Sequence, residues 1–481
     1  MGEIPISTYC KITFLVLNIS KKEPKFPFNM FEQDTICAVA TAPGGAIGIV
    51  RISGPDAIAV ADKVFRGRIA LSDVRSHTLH FGRVVIPDGS TLDEVLASVF
   101  RAPASYTGED AVEFSCHGSS YILQELCRLL VSHGCRGAEP GEFTRRAFLN
   151  HRLDLAQAEA VADVIASDSV ASHRLAMRQM RGQYSSAIKA LRHQLQEFAA
   201  LLELELDFSD HEDLEFVDRS VLAERCCQLE EAVSRLVSSF TLGNAIKRGI
   251  AVVLIGAPNV GKSTLLNALV HEDRAIVSEV QGTTRDTVEA TFTISSHTFR
   301  FIDTAGLRCT HDTVEQMGMA RSLKAAREAQ IVLLLSDGKS PFPHFDPGEG
   351  QTLIRVFTKK DIALPHATSS KVHETAPGLC ISALTGEGME ELEAQLAQVA
   401  DSFYASNASD VIVTNTRHYH ALLSAKESLQ RVFEGLRKDI PTEFIAQDLR
   451  QCLSALAGIW GGEIIADSIL DTVFSRFCIG K

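Results

Sequence analysis

The sequence predicts a multidomain α/β and α protein. A small N-terminal α+β domain precedes a helical domain split by an inserted, doubly wound α/β domain with a mostly parallel sheet. Three observations carry this reading. The stretch Gly256-Ala-Pro-Asn-Val-Gly-Lys-Ser-Thr264 lies mid-chain, after the apolar run Ile250 to Ile255 and before Leu265, Leu266 and Leu269; this is the strand, glycine loop and helix order of a phosphate-binding loop. Apolar strands alternate with helical segments over residues 247–400, as a parallel sheet requires. Ala- and Leu-rich sequence with helical spacing lies on both sides of that segment, from Leu153 and again after Asp401.

In chain order, residues 1–29 read as an extension, disordered or upstream of a true start at Met30. Its apolar run from Ile12 to Ile19 precedes Lys21, Lys22, Pro24 and Pro27, and no small-residue cleavage site follows to make it a secretory signal. Residues 30–149 mix β-rich runs (Ile47 to Ile52, Val95 to Phe100, Ala111 to Ser115) with Gly and Pro turns, the texture of an α+β domain. Residues 150–246 form the first helical part, with Leu191, Leu195, Phe198, Leu201 and Leu202 at helical spacing. The inserted domain occupies 247–400 and the second helical part 401–481.

Composition narrows the function. The 481 residues, 45% hydrophobic, suffice for more than one core. A net charge of −13 excludes a general nucleic-acid coat protein, so any RNA contact has to come from a local basic patch or a partner. The 11 cysteines show no CxxC pair or paired ligand spacing, which indicates neither zinc nor a disulfide framework and fits a reducing, cytoplasmic location. No 18-residue apolar run offers a membrane span.

The glycine loop implies phosphate chemistry. Backbone N–H groups of Asn259, Val260, Gly261 and Thr264, with the N-terminus of the next helix, wrap phosphates; Lys262 reaches the β- and γ-phosphates and the Ser263 hydroxyl suits Mg²⁺. Further parts follow in order. Gly282-Thr-Thr-Arg-Asp286 offers Thr284 as a hydroxyl that closes on Mg²⁺. Strand Thr298 to Ile302 runs into Asp303-Thr304-Ala305-Gly306, where Asp303 holds Mg²⁺ through water and the Gly306 N–H meets the γ-phosphate. Strand Leu353 to Phe357 ends in Thr358-Lys359-Lys360-Asp361, whose carboxylate matches the two N–H donors on guanine's edge that adenine lacks. Ser382-Ala383-Leu384 backs the base with backbone N–H. The reading is GTP with Mg²⁺ on a Ras-like domain.

Two positions depart from the common pattern. Thr358 stands where many guanine-nucleotide proteins have Asn, and losing that amide costs about 0.5–1.5 kcal/mol. Leu307 stands where a water-orienting Gln is frequent, so another group must orient water. Arg285 and Arg308 near the switches read equally as solvated charges or as contributors to catalysis.

With these departures the sequence resembles the tRNA-modification GTPase family called MnmE or TrmE, over nearly all its length from about Met30. The carrying features are Pro43-Gly-Gly…Gly48-Ile-Val-Arg51-Ile-Ser-Gly54, Tyr106-Thr-Gly-Glu-Asp110, Pro140-Gly-Glu-Phe-Thr-Arg-Arg-Ala-Phe-Leu149, Leu153-Asp-Leu-Ala-Gln-Ala-Glu-Ala160 and Phe477-Cys-Ile-Gly-Lys481. The resemblance implies potassium activation: Asn259 helps hold K⁺ beside the phosphates. The loop Ser278-Glu279-Val280-Gln281-Gly282-Thr283 closes over the nucleotide, with Ser278, Val280 and Thr283 completing the K⁺ cage. A cation there neutralises charge developing between β- and γ-phosphates, as an arginine finger does. GTPase domains of two protomers pair to form that site, and Glu315 matches the family's catalytic carboxylate. Read by itself, Glu315 is a surface helix residue.

The resemblance further implies that the N-terminal domain has a tetrahydrofolate-binding-like fold holding a formyl-tetrahydrofolate one-carbon donor, lined by Arg51, Glu113, Arg152 and Lys481. Cations suit folate's carboxylate and a carboxylate accepts pterin N–H bonds. Arg152 stands where other members often have Lys, which keeps charge and changes geometry. Cys478, near that pocket in the family, reads equally as catalytic or as packing. Arg174, Arg178 and Arg181 share a helix face that reads first as solvated and second as an RNA contact. The implied activity is addition of a (carboxymethyl)aminomethyl group at C5 of the wobble uridine of certain tRNAs, by a homodimer working with the flavoprotein MnmG (GidA). A regulatory or ribosome-assembly GTPase is the rival reading. An RNA-binding KH-like module with a Gly-x-x-Gly loop would be expected beyond Ala400 in that case, where helices are predicted instead. An ion-transport GTPase lacks its membrane spans here.

Overall fold

Apolar alternation in the first third of the chain produces a seven-stranded sheet. The computed structural model describes residues 34–42, 44–207, 219–271, 289–295, 297–302, 325–327, 329–339, 341–348, 350–362, 378–406, 411–438, 440–462, 467–475, 477 and 479–480. Two units result, residues 1–152 with 477–481, and residues 153–476.

In the first unit the strands are β1 (Ile36–Val39), β2 (Ile47–Ser53), β3 (Phe65–Gly67), β4 (Thr78–Val85), β5 (Thr91–Phe100), β6 (Ala111–His117) and β7 (Arg136–Gly137), in the order β3-β4-β5-β6-β2-β1-β7. Neighbours are antiparallel except β1 and β7. Helices α1 (Ala57–Val64) and α2 (Ser120–Ser132) bury an apolar stripe, Leu123, Leu126 and Leu130 of α2 among it, with Val50, Ile52, Val112 and Phe114 of the sheet. A third helix, α3 (Glu142–Leu149), starts after Gly141 and buries Phe143 with Ile36 and Ala38. Register places Arg51 of β2 directly opposite Glu113 of β6.

The second unit begins with α4 (Leu155–Ile165), α5 (Val170–Met180), α6 (Gln183–Asp207) and α7 (Arg219–Arg248). It continues through β8 (Ile250–Gly256), α8 (Lys262–His271), β9 (Glu289–Ile294), β10 (His297–Ile302), β11 (Ile331–Ser336), β12 (Thr352–Phe357) and β13 (Leu379–Cys380). The last helices are α9 (Met389–Ser406), α10 (Thr416–Arg437), α11 (Thr442–Trp460) and α12 (Asp467–Phe474). The sheet order is β13-β12-β11-β8-β10-β9, parallel except for the β9–β10 hairpin at one edge. Central strand β11 is buried along its whole length, as a strand covered on both faces must be.

Residues before and after the α/β segment build one helical core. Leu195 and Phe198 of α6 and Leu229 of α7 pack in the same cluster as Leu429 of α10 and Leu449 and Leu456 of α11. The α/β domain is therefore an insertion into a helical domain. Its entry is short: α7 runs into β8 through Gly249, whose φ of 86° suits glycine. On the way back, residues 411–415 cross α7 at Gly243, where a Cβ would lie 2.0 Å from the Val413 carbonyl oxygen. Val413 N–H donates to Ser239 Oγ at 3.1 Å, and Gln179 Nε2 donates to the Ile412 carbonyl and to Thr414 Oγ1, each at 3.1 Å. Among the described residues no helix is long and apolar enough to cross a membrane.

The tail differs from the sequence expectation, in which the second helical part continues to residue 481. After α12, Ile479 forms a bridge with Pro140, and residues 477–481 belong to the first unit. Gly480 explains the close fit: its φ is 93° and a Cβ would stand 2.2 Å from the Val39 carbonyl oxygen.

Candidate functional site

Strand β8 ends at Gly256 because the next turn leaves no room for a side chain: a Cβ there would meet Val260 Cγ1 at 2.8 Å and the Leu335 carbonyl at 2.9 Å. The loop then turns through two left-handed residues, Asn259 (φ 60°) and Gly261 (φ 103°), before α8 opens at Lys262. Lys262 Nζ donates to the Gly256 and Ala257 carbonyls at 2.8 and 3.0 Å, which folds the side chain over the loop. Val260 is buried, while Asn259, Ser263 and Thr264 are exposed. Exposed backbone at a helix N-terminus, with a lysine above and a hydroxyl in the first turn, fits a triphosphate and its Mg²⁺.

The loops expected from the sequence to read the base converge on the same place. Thr358 is buried, and its Oγ1 donates to the Val260 carbonyl at 2.6 Å, tying the end of β12 to the phosphate loop. Threonine thus supplies a tie of its own where the sequence predicts only the cost of a missing amide. Lys359, at φ 60°, reaches back so that Nζ donates to the Asn259 carbonyl at 2.6 Å. Lys360 pairs with Glu387 at 2.7 Å. Ser382 Oγ donates to Asp361 Oδ1 at 2.6 Å, orienting a carboxylate that remains exposed and keeps acceptor capacity for two N–H donors. Ser382 itself is fully buried, and its N–H donates to the Glu387 carbonyl at 2.8 Å. Ala383 and Leu384 follow in the same turn, Leu384 exposed. Ser278, Glu279, Val280, Gln281, Gly282, Thr283, Thr284, Asp303, Thr304, Ala305, Gly306, Glu315, Cys478 and Lys481 lie outside the described residues.

The N-terminal candidates form a second group. Arg51 Nε donates to Glu113 Oε1 at 2.7 Å, and Arg51 Nη1 donates to the Gly480 carbonyl at 3.4 Å. The guanidinium lies 5.7 Å from the Tyr106 ring centre and 5.5 Å from that of Phe143. Tyr106 Oη and Thr144 Oγ1 share a hydrogen bond of 2.9 Å; burial pushes the phenol's pKa up, against the pull of Thr144 and Arg51. Arg152 is exposed, its methylenes packed where a Cβ on Gly108 would meet Cγ at 3.2 Å. The structure joins Arg51 to Glu113 and sets Arg152 against the loop that carries Tyr106. An exposed ring, a cation and a carboxylate side by side suit an aromatic, carboxylate-bearing ligand.

Motif residues beyond the candidates tie the neighbouring loops together. Arg146 takes Asp34 at 2.5 Å, Glu142 at 3.1 Å and Glu109 at 3.3 Å, while Ser53 Oγ donates to Glu109 Oε2 at 2.7 Å. In the second unit, sequence reasoning missed a buried ionic group. Glu159 of α4 accepts from Arg417 at 3.0 Å and from His418 Nε2 at 2.7 Å, and Arg417 also donates to the Gly458 and Ile459 carbonyls. Burial alone would raise the Glu159 carboxyl, but His418 and Arg417 outweigh it and hold the pKa at about 2. Only the unusual Arg-His pair at the start of a helix hinted at it.

A family model described as GTP-binding protein TrmE N-terminus matches residues 35–152, and one described as MnmE helical domain matches residues 155–478. A protein of Parabacteroides distasonis named tRNA modification GTPase MnmE is 48% identical over 93% of this chain and 100% of its own length. The chain belongs to the MnmE family of tRNA-modification GTPases. A Bacteroides thetaiotaomicron protein of the same name is likewise 48% identical over 93% of this chain and all of its own length. Membership in the MnmE family makes this chain a GTPase, an enzyme that hydrolyses GTP with Mg²⁺.

Proposed function

We propose that this GTPase works in the cytoplasm, in a complex that adds a (carboxymethyl)aminomethyl group at C5 of the wobble uridine of certain tRNAs. GTP is bound by Asn259 to Thr264, the Ser278–Thr284 loop, Asp303 to Gly306, Thr358 to Asp361 and Ser382 to Leu384, with Lys262 on the phosphates and Ser263 and Thr284 on Mg²⁺. K⁺ sits with Asn259, Ser278, Val280 and Thr283 as two GTPase domains pair, and Glu315 orients the attacking water. The Arg51–Glu113 pair, with Arg152 and Lys481, holds a formyl-tetrahydrofolate donor, and Cys478 stands near it. The working assembly is a homodimer joined to the flavoprotein MnmG (GidA) in a heterotetramer.

The observation that supports this reading is the presence, in one chain, of Asp361 held by Ser382 beside the phosphate loop and, separately, of Arg51 paired with Glu113 among the family's own motifs. The experiment is a nucleoside profile of tRNA from cells lacking the protein. Loss of the C5 group at the wobble uridine is expected, restored by the intact gene and not by an Asp361→Asn copy. A normal profile in the deletion strain overturns the reading in favour of a regulatory GTPase.

A further inference from the structure

Helix α5 carries Arg174 and Arg178, and Arg181 caps its C-terminal end. Positions i, i+4 and i+7 put these guanidiniums on one face, spread over about 10 Å at 1.5 Å rise per residue. All three are exposed. Among the described residues none of them makes an ion pair, whereas Arg225, Arg417 and Arg431 of the same unit hold Glu197, Glu159 and Asp448 at 3.0, 3.0 and 2.7 Å. An unneutralised row of arginines is notable in a chain whose net charge is −13.

The opposite face of α5 is fixed. Ser172, Ala176 and Gln179 are buried, Ser169 caps the N-terminus in a capping box with Ser172, and Gln157 Nε2 donates to the Met180 carbonyl at 3.1 Å. Gln179 also holds the return segment from the GTPase domain through the Ile412 carbonyl and Thr414 Oγ1. The arginine row is thus displayed by a rigid helix, so little ordering entropy opposes binding beyond that of the side chains.

We propose that the Arg174, Arg178 and Arg181 face binds the phosphate backbone of RNA, the tRNA substrate on the reading above, on which the choice of RNA rests. Guanidinium forks pair bidentately with phosphate, and steps of about 6 and 4.5 Å along the helix axis let neighbouring arginines take different phosphates of one strand. Because the back of α5 bonds the segment leading out of the GTPase domain, RNA seated on the front lies one helix thickness from that segment.

The test uses the full-length protein and a labelled tRNA transcript with uridine at the wobble position, its affinity measured over a range of salt concentrations. Replacing all three arginines with Gln is expected to shrink the slope of log K against log salt by about 2 to 3, at roughly 0.7–0.9 for each phosphate that is no longer neutralised. Replacing all three with Lys should restore most of the slope, since charge is kept. Thermal unfolding checks that the Gln variant is folded. An unchanged slope and affinity in a folded Gln variant overturn the proposal. So does a Gln variant that binds tRNA normally but no longer co-purifies with the flavoprotein, which assigns the face to an acidic protein surface. The functional reading fails separately, by the nucleoside profile of the deletion strain.

Discussion

Two demands meet at Asn259, one on its backbone and one that the proposed function places on its side chain. Its backbone sits at φ 60°, a region open to Gly and tolerated by Asn, so the loop's geometry alone selects the residue. Its side chain is exposed beside the phosphate loop, where the cation hypothesis needs an oxygen. Asn259→Gly separates the two, since it keeps the backbone and removes the amide. GTP affinity should stay within a few fold while the excess of turnover in K⁺ over Na⁺ disappears; a glycine variant that keeps its K⁺ preference removes Asn259 from the cation site. Thr358 makes a second case. Thr358→Val keeps the shape and leaves the buried Val260 carbonyl without its donor, for a loss of about 1–3 kcal/mol of stability in chemical denaturation. Glu315→Ala should spare GTP binding and slow single-turnover hydrolysis; unchanged rates would refute the role assigned to it. The phosphate loop and Asp361 were legible in the sequence because their spacing is local and their chemistry fixed. The Thr358 tie was not, since it closes between residues 98 positions apart.

At the scale of an element, α4 shows what a sequence motif conceals. Leu153 to Ala160 reads as helix, and each polar residue in it has a structural task. Asp154 caps the helix and forms a capping box with Gln157, while Glu159 projects into the core to meet Arg417 and His418 from the far side of the insertion. Removing one member of such a buried group leaves charges without a counterpart, so Glu159→Gln should cost about 3–5 kcal/mol in chemical denaturation. The pH dependence has a definite sign. The folded pKa of about 2 lies below the ordinary 4.5, so the stabilisation is complete above pH 4.5 and fades as pH falls from 4.5 through 2, by roughly 3 kcal/mol in all. The Gln variant should lose that part of the acid dependence, and an unfolding free energy that falls in the same way in both proteins between pH 4.5 and 2 would reject the assignment. The helix was legible from its periodicity; its partners, some 260 residues away, leave no local pattern, because long-range packing alone brings them together.

For the whole molecule the question is how a nucleotide engine inserted into a helical domain can move anything outside itself. The insertion has two connections, the turn at Gly249 and the returning segment 411–415. The second is gripped on both sides, by Ser239 and Gly243 of α7 and by Gln179 of α5, so a pull from the GTPase domain enters the helical core there. An ion pair lies beside the first connection: Lys247 at the end of α7 pairs with Asp163 of α4 at 2.6 Å, one turn from Glu159, whose partners Arg417 and His418 open α10 just after the returning segment. Gly243 is the point at which this arrangement can be altered without touching nucleotide or substrate. A methyl group there would sit 2.0 Å from the Val413 carbonyl oxygen and force the returning segment off α7. Gly243→Ala should therefore lower stability by about 1–3 kcal/mol through overpacking and leave GTP affinity near normal, since the residues proposed to bind nucleotide all lie inside the inserted domain. Modification of tRNA should fall by more than GTP turnover does, because the displaced segment is one of the two connections between the inserted domain and the helical core. Turnover and modification that decline in equal proportion, measured on the same preparation, would show that the segment carries only stability and that the coupling runs through Gly249 instead.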